Sequence, residues 1–307
     1  MLKSVRGTLS AIPDSKIMEA IKVYKEFELE NPSLVAAWPG MGGVAIVAAK
    51  YLKEKLGAEE LGEIEPYDFF SPSVVSIKNS MVEEPEFPES KFFVGKSGAG
   101  NDLMIFTGDA QPPMKGYRFA NLVLDVAQKF KVERIYTLAA APTHIYHTRK
   151  PRVLGVATEP ELASQLEDYG VNLMGSGGIS GMNGLLLGVA KERNMKGVCL
   201  LGEIPVYITQ IANPKSSKAV LEVLTRMLDI EIDMTEIDDW ARKTDEEVEE
   251  AIEHLKESGR EEAASLIDYF ERLKQKATTE ETEFRGPPEE LFKEIERFLK
   301  GRRGEDS

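Results

Sequence analysis

Between Ser33 and Leu228, short apolar runs alternate with amphipathic stretches, and glycine turns separate several of them. This alternation constrains the fold more than any single motif. A short apolar run flanked by turn residues reads as a buried strand, and an apolar stripe of helical period reads as a helix lying on a sheet. "SLVAAWP" over 33–39 predicts the first such strand, and 44–56 predicts a helix closed by Gly57. Further strands are predicted at 61–65, 73–78, 91–96 and 102–107. A helix over 117–131 carries Leu122, Val123, Val126 and Phe130 on one face. Strands at 134–141, 152–158 and 196–203 alternate with helices at 159–170 and 182–193. A last helix over 213–228 has Asn213 as its N-cap and Pro214 in its first turn. The expected fold is α/β, a mostly parallel sheet with helices on both faces.

Composition shifts after about residue 230. The following stretch is acidic and helical in pattern. Ala263, Leu266, Ile267, Phe270 and Leu273 mark one apolar face, and Leu291, Phe292, Ile295, Phe298 and Leu299 mark another. We therefore expect an α/β core domain over 1–232 and an acidic helical extension over 233–307, packed on the core or at an oligomer interface. "TTEETEFRGPP" over 278–288 reads as an exposed connector.

The chain has 307 residues and a formal net charge of −14, which argues against nucleic acid and anionic membrane as partners. No apolar run reaches the roughly 18 residues of a membrane span. The N-terminal "MLKSVRGTLSAIPDS" lacks the apolar core of a signal peptide. The lone Cys199, in "GVCLL", reads as a buried thiol with a packing role. These features point to a cytoplasmic protein.

Two glycine clusters open helices. "WPGMGGVAI" carries Gly40, Gly42 and Gly43, and "GSGGISGMNG" spans Gly175 to Gly184. A helix N-terminus offers free N–H groups to an anion, and glycine lets the backbone approach it. The first cluster has neither the Gly-Lys-Ser/Thr of a Walker loop nor the full G-x-G-x-x-G spacing. Close strand-to-helix packing demands the same small residues. Asp109 and Glu203 are expected at the ends of two strands, at the carboxyl edge where open α/β sheets bind ligands. A small-molecule site would be built from Gly40, Gly42, Asp109, Gly178 and Glu203; the structural alternative for Asp109 is loop capping. His144 and His147 form "HIYH", spaced as two metal ligands are, but no third ligand accompanies them at telling spacing. No metal site, cofactor or catalytic set is expected, since the chain carries no G-x-S-x-G elbow, H-E-x-x-H or triad.

"WPGMGGVA", "TGDAQP", "GISGMNGLLLG", "GEIP" and "ANPKSSKAVLEVL", in that order, resemble the family of proteasome assembly chaperone two and its archaeal homologues. The matching positions run from Pro39 to Leu224. The resemblance implies an α/β fold similar to the phosphorylase/hydrolase-like class, oligomers, and a role in assembling the 20S proteasome. Relatives that dock on the proteasome carry a C-terminal hydrophobic-Tyr-X tail. Here Glu305 and Asp306 stand in the hydrophobic and tyrosine positions, so the chain more closely resembles an archaeal homologue without the tail. Such a protein would act as a non-enzymatic scaffold that homo-oligomerises and binds a tailed relative or proteasome α-subunits. The alternative is a nucleotide- or nucleoside-binding enzyme, ATP-grasp-like or phosphorylase-like, with its site at the glycine turns.

Overall fold

A computed structural model describes residues 20–96, 100–257, 261–275 and 289–303. Glu305, Asp306, the connector over 278–288 and residues 1–15 lie outside the described residues, as do the side chains of Ala263, Leu266 and Leu291. The strands are β1 (Ile21–Val23), β2 (Ser33–Ala37), β3 (Glu59–Ile64), β4 (Ile77–Lys78), β5 (Met81–Val82) and β6 (Ser90–Gly95). They continue with β7 (Leu103–Gly108), β8 (Arg134–Thr143), β9 (Val153–Ala157), β10 (Asn172–Leu173) and β11 (Lys196–Pro205). Helices α1 (Val44–Lys55), α2 (Gly116–Lys129), α3 (Pro160–Asp168), α4 (Gly181–Glu192) and α5 (Pro214–Leu228) pack on this framework. Helices α6 (Thr235–Glu257), α7 (Glu261–Gln275) and α8 (Glu289–Arg303) follow.

Nine strands form one sheet in the order β1-β3-β6-β7-β2-β8-β11-β9-β10. The expected parallel sheet is its centre: β7, β2, β8 and β11 run parallel, with Leu34 opposite Met104 on one side and Ile135 on the other. Antiparallel pairings extend it, β7–β6–β3–β1 on one side and β11–β9 on the other. The connection from β6 to β7 is too short for a crossover, so these two strands must pair as a hairpin.

The central strands are buried on both faces, as a sheet covered by helices on each side requires. Along β2, Val35 and Ala37 face α1 and α5, whereas Leu34, Ala36 and Trp38 face α2 and α4. Helix α1 ends where Gly57 takes a positive φ of 55°, and Asn213 caps α5 by accepting from the Ser216 N–H at 3.0 Å.

Val248, Ala251, Ile252 and Leu255 of α6, with Phe270 and Leu273 of α7 and Ile295 and Leu299 of α8, meet Tyr146, Tyr207, Ile208 and Ile211, which lie just past β8 and β11. Phe270 and Leu273 of α7 and Ile295 and Leu299 of α8 are buried there. Truncation after Ile232 would strip this cover. We expect the truncated protein to aggregate or to bind a hydrophobic dye where the full chain does not; a monodisperse product with an unchanged melting temperature would contradict this packing role.

Candidate functional site

Parts of the family-like motifs meet at the carboxyl edge of the sheet, where several of their polar groups bond to one another. The chain leaves β2 through Trp38, whose N–H donates to Asn183 Oδ1 at 3.2 Å. The Pro39 carbonyl accepts from Gln111 Nε2 at 2.7 Å, and Gln111 Oε1 accepts the Met182 N–H at 2.9 Å. Gln111 therefore joins the turn after β2 to the start of α4. Gly181 has φ of 77°, and a Cβ there would lie 2.6 Å from Gln111 Oε1, so both conformation and space call for glycine.

The turn before α1 is tied to the segment before α5. Gly42 N–H donates to the Thr209 carbonyl at 2.6 Å, and the Gly42 carbonyl accepts the Asn213 N–H at 2.7 Å. Gly42 is buried with φ of 60°, and a Cβ on it would meet Asn213 Cβ and Ile204 Cδ1, each at 3.3 Å. Gly43 N–H donates to the Gly40 carbonyl at 3.0 Å. Ser217 Oγ closes the arrangement by donating to the Val44 carbonyl at 3.2 Å. The Gly42 and Gly43 N–H groups that an anion would need are thus engaged within the protein.

Neither a cleft beside Gly178 nor a second one at the amino edge gathers the five candidate ligand residues. Gly40 is exposed, next to the buried Gly42. Asp109 follows β7, lies about half exposed, and faces Lys50 Nζ at 3.4 Å. Glu203 lies inside β11 rather than after it. It is buried and accepts the Arg152 N–H at 2.8 Å, Nε at 3.0 Å and Nη2 at 2.6 Å. This bidentate pair fastens β11 to the residue before β9. Gly178 lines a cleft of about 370 Å³ to which none of the other four contributes. That cleft is floored by Val156, Met174, Ile179 and Leu187, and Lys191 is its one charged lining residue. A polar cleft of about 500 Å³ lies at the opposite, amino edge, between Asn31, Arg134, Tyr136 and Lys196.

A second polar centre was not apparent from sequence spacing. His147 is buried in the loop after β8. Its N–H donates to Tyr207 Oη at 2.9 Å, and its Nδ1 lies 3.1 Å from the same hydroxyl. Its Nε2 is 3.1 Å from Glu249 Oε2 but out of line for a hydrogen bond. Glu249, on α6, accepts from Tyr146 Oη at 2.6 Å and from Lys274 Nζ at 2.8 Å. Lys215 Nζ donates to the His147 carbonyl at 2.8 Å and pairs with Asp245. His144 Nδ1 turns to Tyr269 Oη at 3.0 Å. The two histidines of "HIYH" thus attach the helical extension to the core. Among the described residues, no three His, Cys, Asp or Glu side chains are grouped to hold a metal ion.

Burial lowers the His147 pKa from 6.5 to about 4, against the opposing charge of Glu249. Burial also works to raise the Glu249 pKa, but hydrogen bonds from Lys274 and Tyr146 outweigh it and hold the carboxylate below its usual range. The Cys199 thiol is pushed up to about 12 by burial and is therefore unreactive packing.

The fold and this internally satisfied edge define an α/β protein whose shared motifs are interlocked. The PAC2 family model matches residues 34–252, and the chain belongs to the PAC2 family. It is 28% identical over 222 residues to the uncharacterized protein MJ1210 of Methanocaldococcus jannaschii, covering 72% of this chain and 83% of that one. Among solved structures it is similar to Pyrococcus furiosus PbaB, an archaeal proteasome activator, at 32% identity and a TM-score of 0.65, covering 75% of this chain and 97% of PbaB. It is also similar to P. furiosus PbaA, an archaeal homolog of proteasome-assembly chaperone, at 25% identity and a TM-score of 0.59, covering 78% and 100% of the two chains. Among the described residues, no helix is long and apolar enough to cross a membrane.

Gln111→Ala removes one donor and one acceptor from the clamp. It should cost about 1–3 kcal/mol in denaturant unfolding, and an unchanged midpoint would show that Gln111 is not needed to hold the turns. For His147, the folded pKa is depressed, so the unfolded chain binds more protons between pH 6.5 and about 4. Its contribution is fully present above pH 6.5 and is lost as pH falls to about 4. The lost stability is on the order of 3 kcal/mol. The His147→Gln variant should lack this slope; parallel pH profiles for the two proteins would refute the assignment.

Proposed function

We propose that this chain is a non-enzymatic scaffold of the proteasome assembly-chaperone type, which homo-oligomerises and binds proteasome α-subunits or a relative bearing the docking tail. The observation that carries this reading is the fate of the motif residues. Gly42, Gln111, Gly181, Asn183 and Asn213 meet one another rather than an open cleft. The hydrogen bonds around these residues fix the shape of the edge, which suits a surface recognised by a protein partner. Similarity to PbaB and PbaA supports the same class of partner. The domain division at 232/233 enters as part of this proposal: the α/β unit holds the motifs, and α6 to α8 brace the loops after β8 and β11.

Native mass spectrometry of the full chain, alone and mixed with 20S α-subunits, tests the reading. The expected result is a homo-oligomer that forms a mixed complex with α-subunits and carries no nucleotide-sized adduct. A nucleotide-bearing protomer that forms no protein complex would contradict it and restore the enzyme alternative.

A further inference from the structure

Residues 73–86, between β3 and β6, are all exposed, and they include five large apolar side chains: Val74, Val75, Ile77, Met81 and Val82. Among the described residues, strands β4 and β5 pair only with each other. Their turn, Asn79–Ser80, has φ of 51° and 64°, the left-handed pair that a tight two-residue hairpin uses. Glu83 N–H closes the hairpin on the Ser76 carbonyl at 2.9 Å. A two-stranded hairpin is marginally stable in water by itself, and an exposed apolar run marks a contact surface. Glu83, Glu84 and Glu86 make the arm acidic, with Lys78 its only cation; among the described residues none of the three has an ion-pair partner.

The cleft that holds Gly178 has the opposite character. Its floor is apolar, no carboxylate lines it, and Lys191 stands in its lining. Gly188 of α4 lines it too, and a Cβ there would meet nothing within 4 Å. Arm and cleft lie at opposite ends of the sheet: the arm joins the second and third strands in spatial order, and the cleft adjoins β9 and β10. At strand spacings of about 4.8 Å they are about 25–30 Å apart.

We propose that the arm of one chain seats in the Gly178–Lys191 cleft of a second copy. The apolar side chains of the arm cover Val156 and Leu187, and its glutamates face Lys191. Both surfaces are otherwise unmatched, and each supplies the apolar character and the charge that the other lacks. Because the two patches differ, the contact is head-to-tail and builds a closed ring or a filament rather than a two-fold dimer. The proposal rests on the homo-oligomer in the function proposed above and names its interface.

The test uses the full chain. Light-scattering masses are compared for the natural protein, for Ile77→Ser/Met81→Ser/Val82→Ser in the arm, and for Gly188→Arg in the cleft. These positions are exposed, so melting temperatures should stay close to that of the natural protein. Both variants are expected to fall to the 34.1 kDa of one chain. In a second arm of the test, Val82→Cys and Gly188→Cys are combined. Cys199 is buried, so disulfides should form only at the new sites. The double variant should give a ladder of cross-linked chains under oxidation, and neither single variant should. A monomeric natural protein, unchanged masses in both variants, or a dimer from Val82→Cys alone would overturn the interface. If masses are unchanged while α-subunits still bind, only this interface fails and the scaffold reading stands.

Discussion

The reciprocal backbone bonds of Gly42 hold the carboxyl edge of this protein together. Its N–H reaches Thr209 and its carbonyl receives Asn213, so one residue joins the turn after β2 to the segment entering α5. The geometry requires a φ of 60° in a space where a Cβ would press on Ile204 and Asn213. Around this join, Asn183 reaches Trp38 and Gln111 spans Pro39 and Met182. Segments far apart in sequence are thereby fixed to the same edge. In many open α/β sheets that edge is left free for a ligand.

Two kinds of force act on either side of this edge. Within the sheet, stability comes from apolar burial on both faces of β2, β7, β8 and β11. Beyond it, the join to the helical extension combines apolar packing with a hydrogen-bonded polar centre. Tyr207 lies wholly buried, and its hydroxyl is engaged by His147. Glu249 gathers Tyr146 and Lys274. A neutral His147 suits this setting because a charged imidazole would have to be desolvated there. The extension is thus tied to the core partly by contacts that are sensitive to acid, whereas the central strands are held chiefly by apolar burial.

Much of the fold was legible because its signals are local. The helix at 44–56, the Asn213 cap and the buried strands at 134–141 and 196–203 follow from apolar period and turn chemistry, and the structure places them within one or two residues. The strand expected over 73–78 joins no central sheet. Val74, Val75 and Ile77 have strand-forming side chains, but they lie in an exposed arm. The short edge strands β1 and β10 have too few residues to show a period. The strand expected at 152–158 is present as β9, but its antiparallel direction was not legible, because direction is set by tertiary pairing and not by composition. The glycine turns could be found from sequence, but their role could not. An anion loop and a packed turn demand the same residue, and only the partners of Gly42 separate them. Glu203 illustrates the same limit, because its partner Arg152 lies 51 residues away in sequence.

The most direct test of the central claim is amide hydrogen exchange of the Gly42 N–H in the full-length protein. If the motifs form an internal clamp, this amide should exchange only through unfolding of the α/β unit, as slowly as amides in the middle of β2, and added phosphate or ATP should leave its rate unchanged. Fast exchange by local opening, slowed by either anion, would contradict the account and make the turn a binding loop.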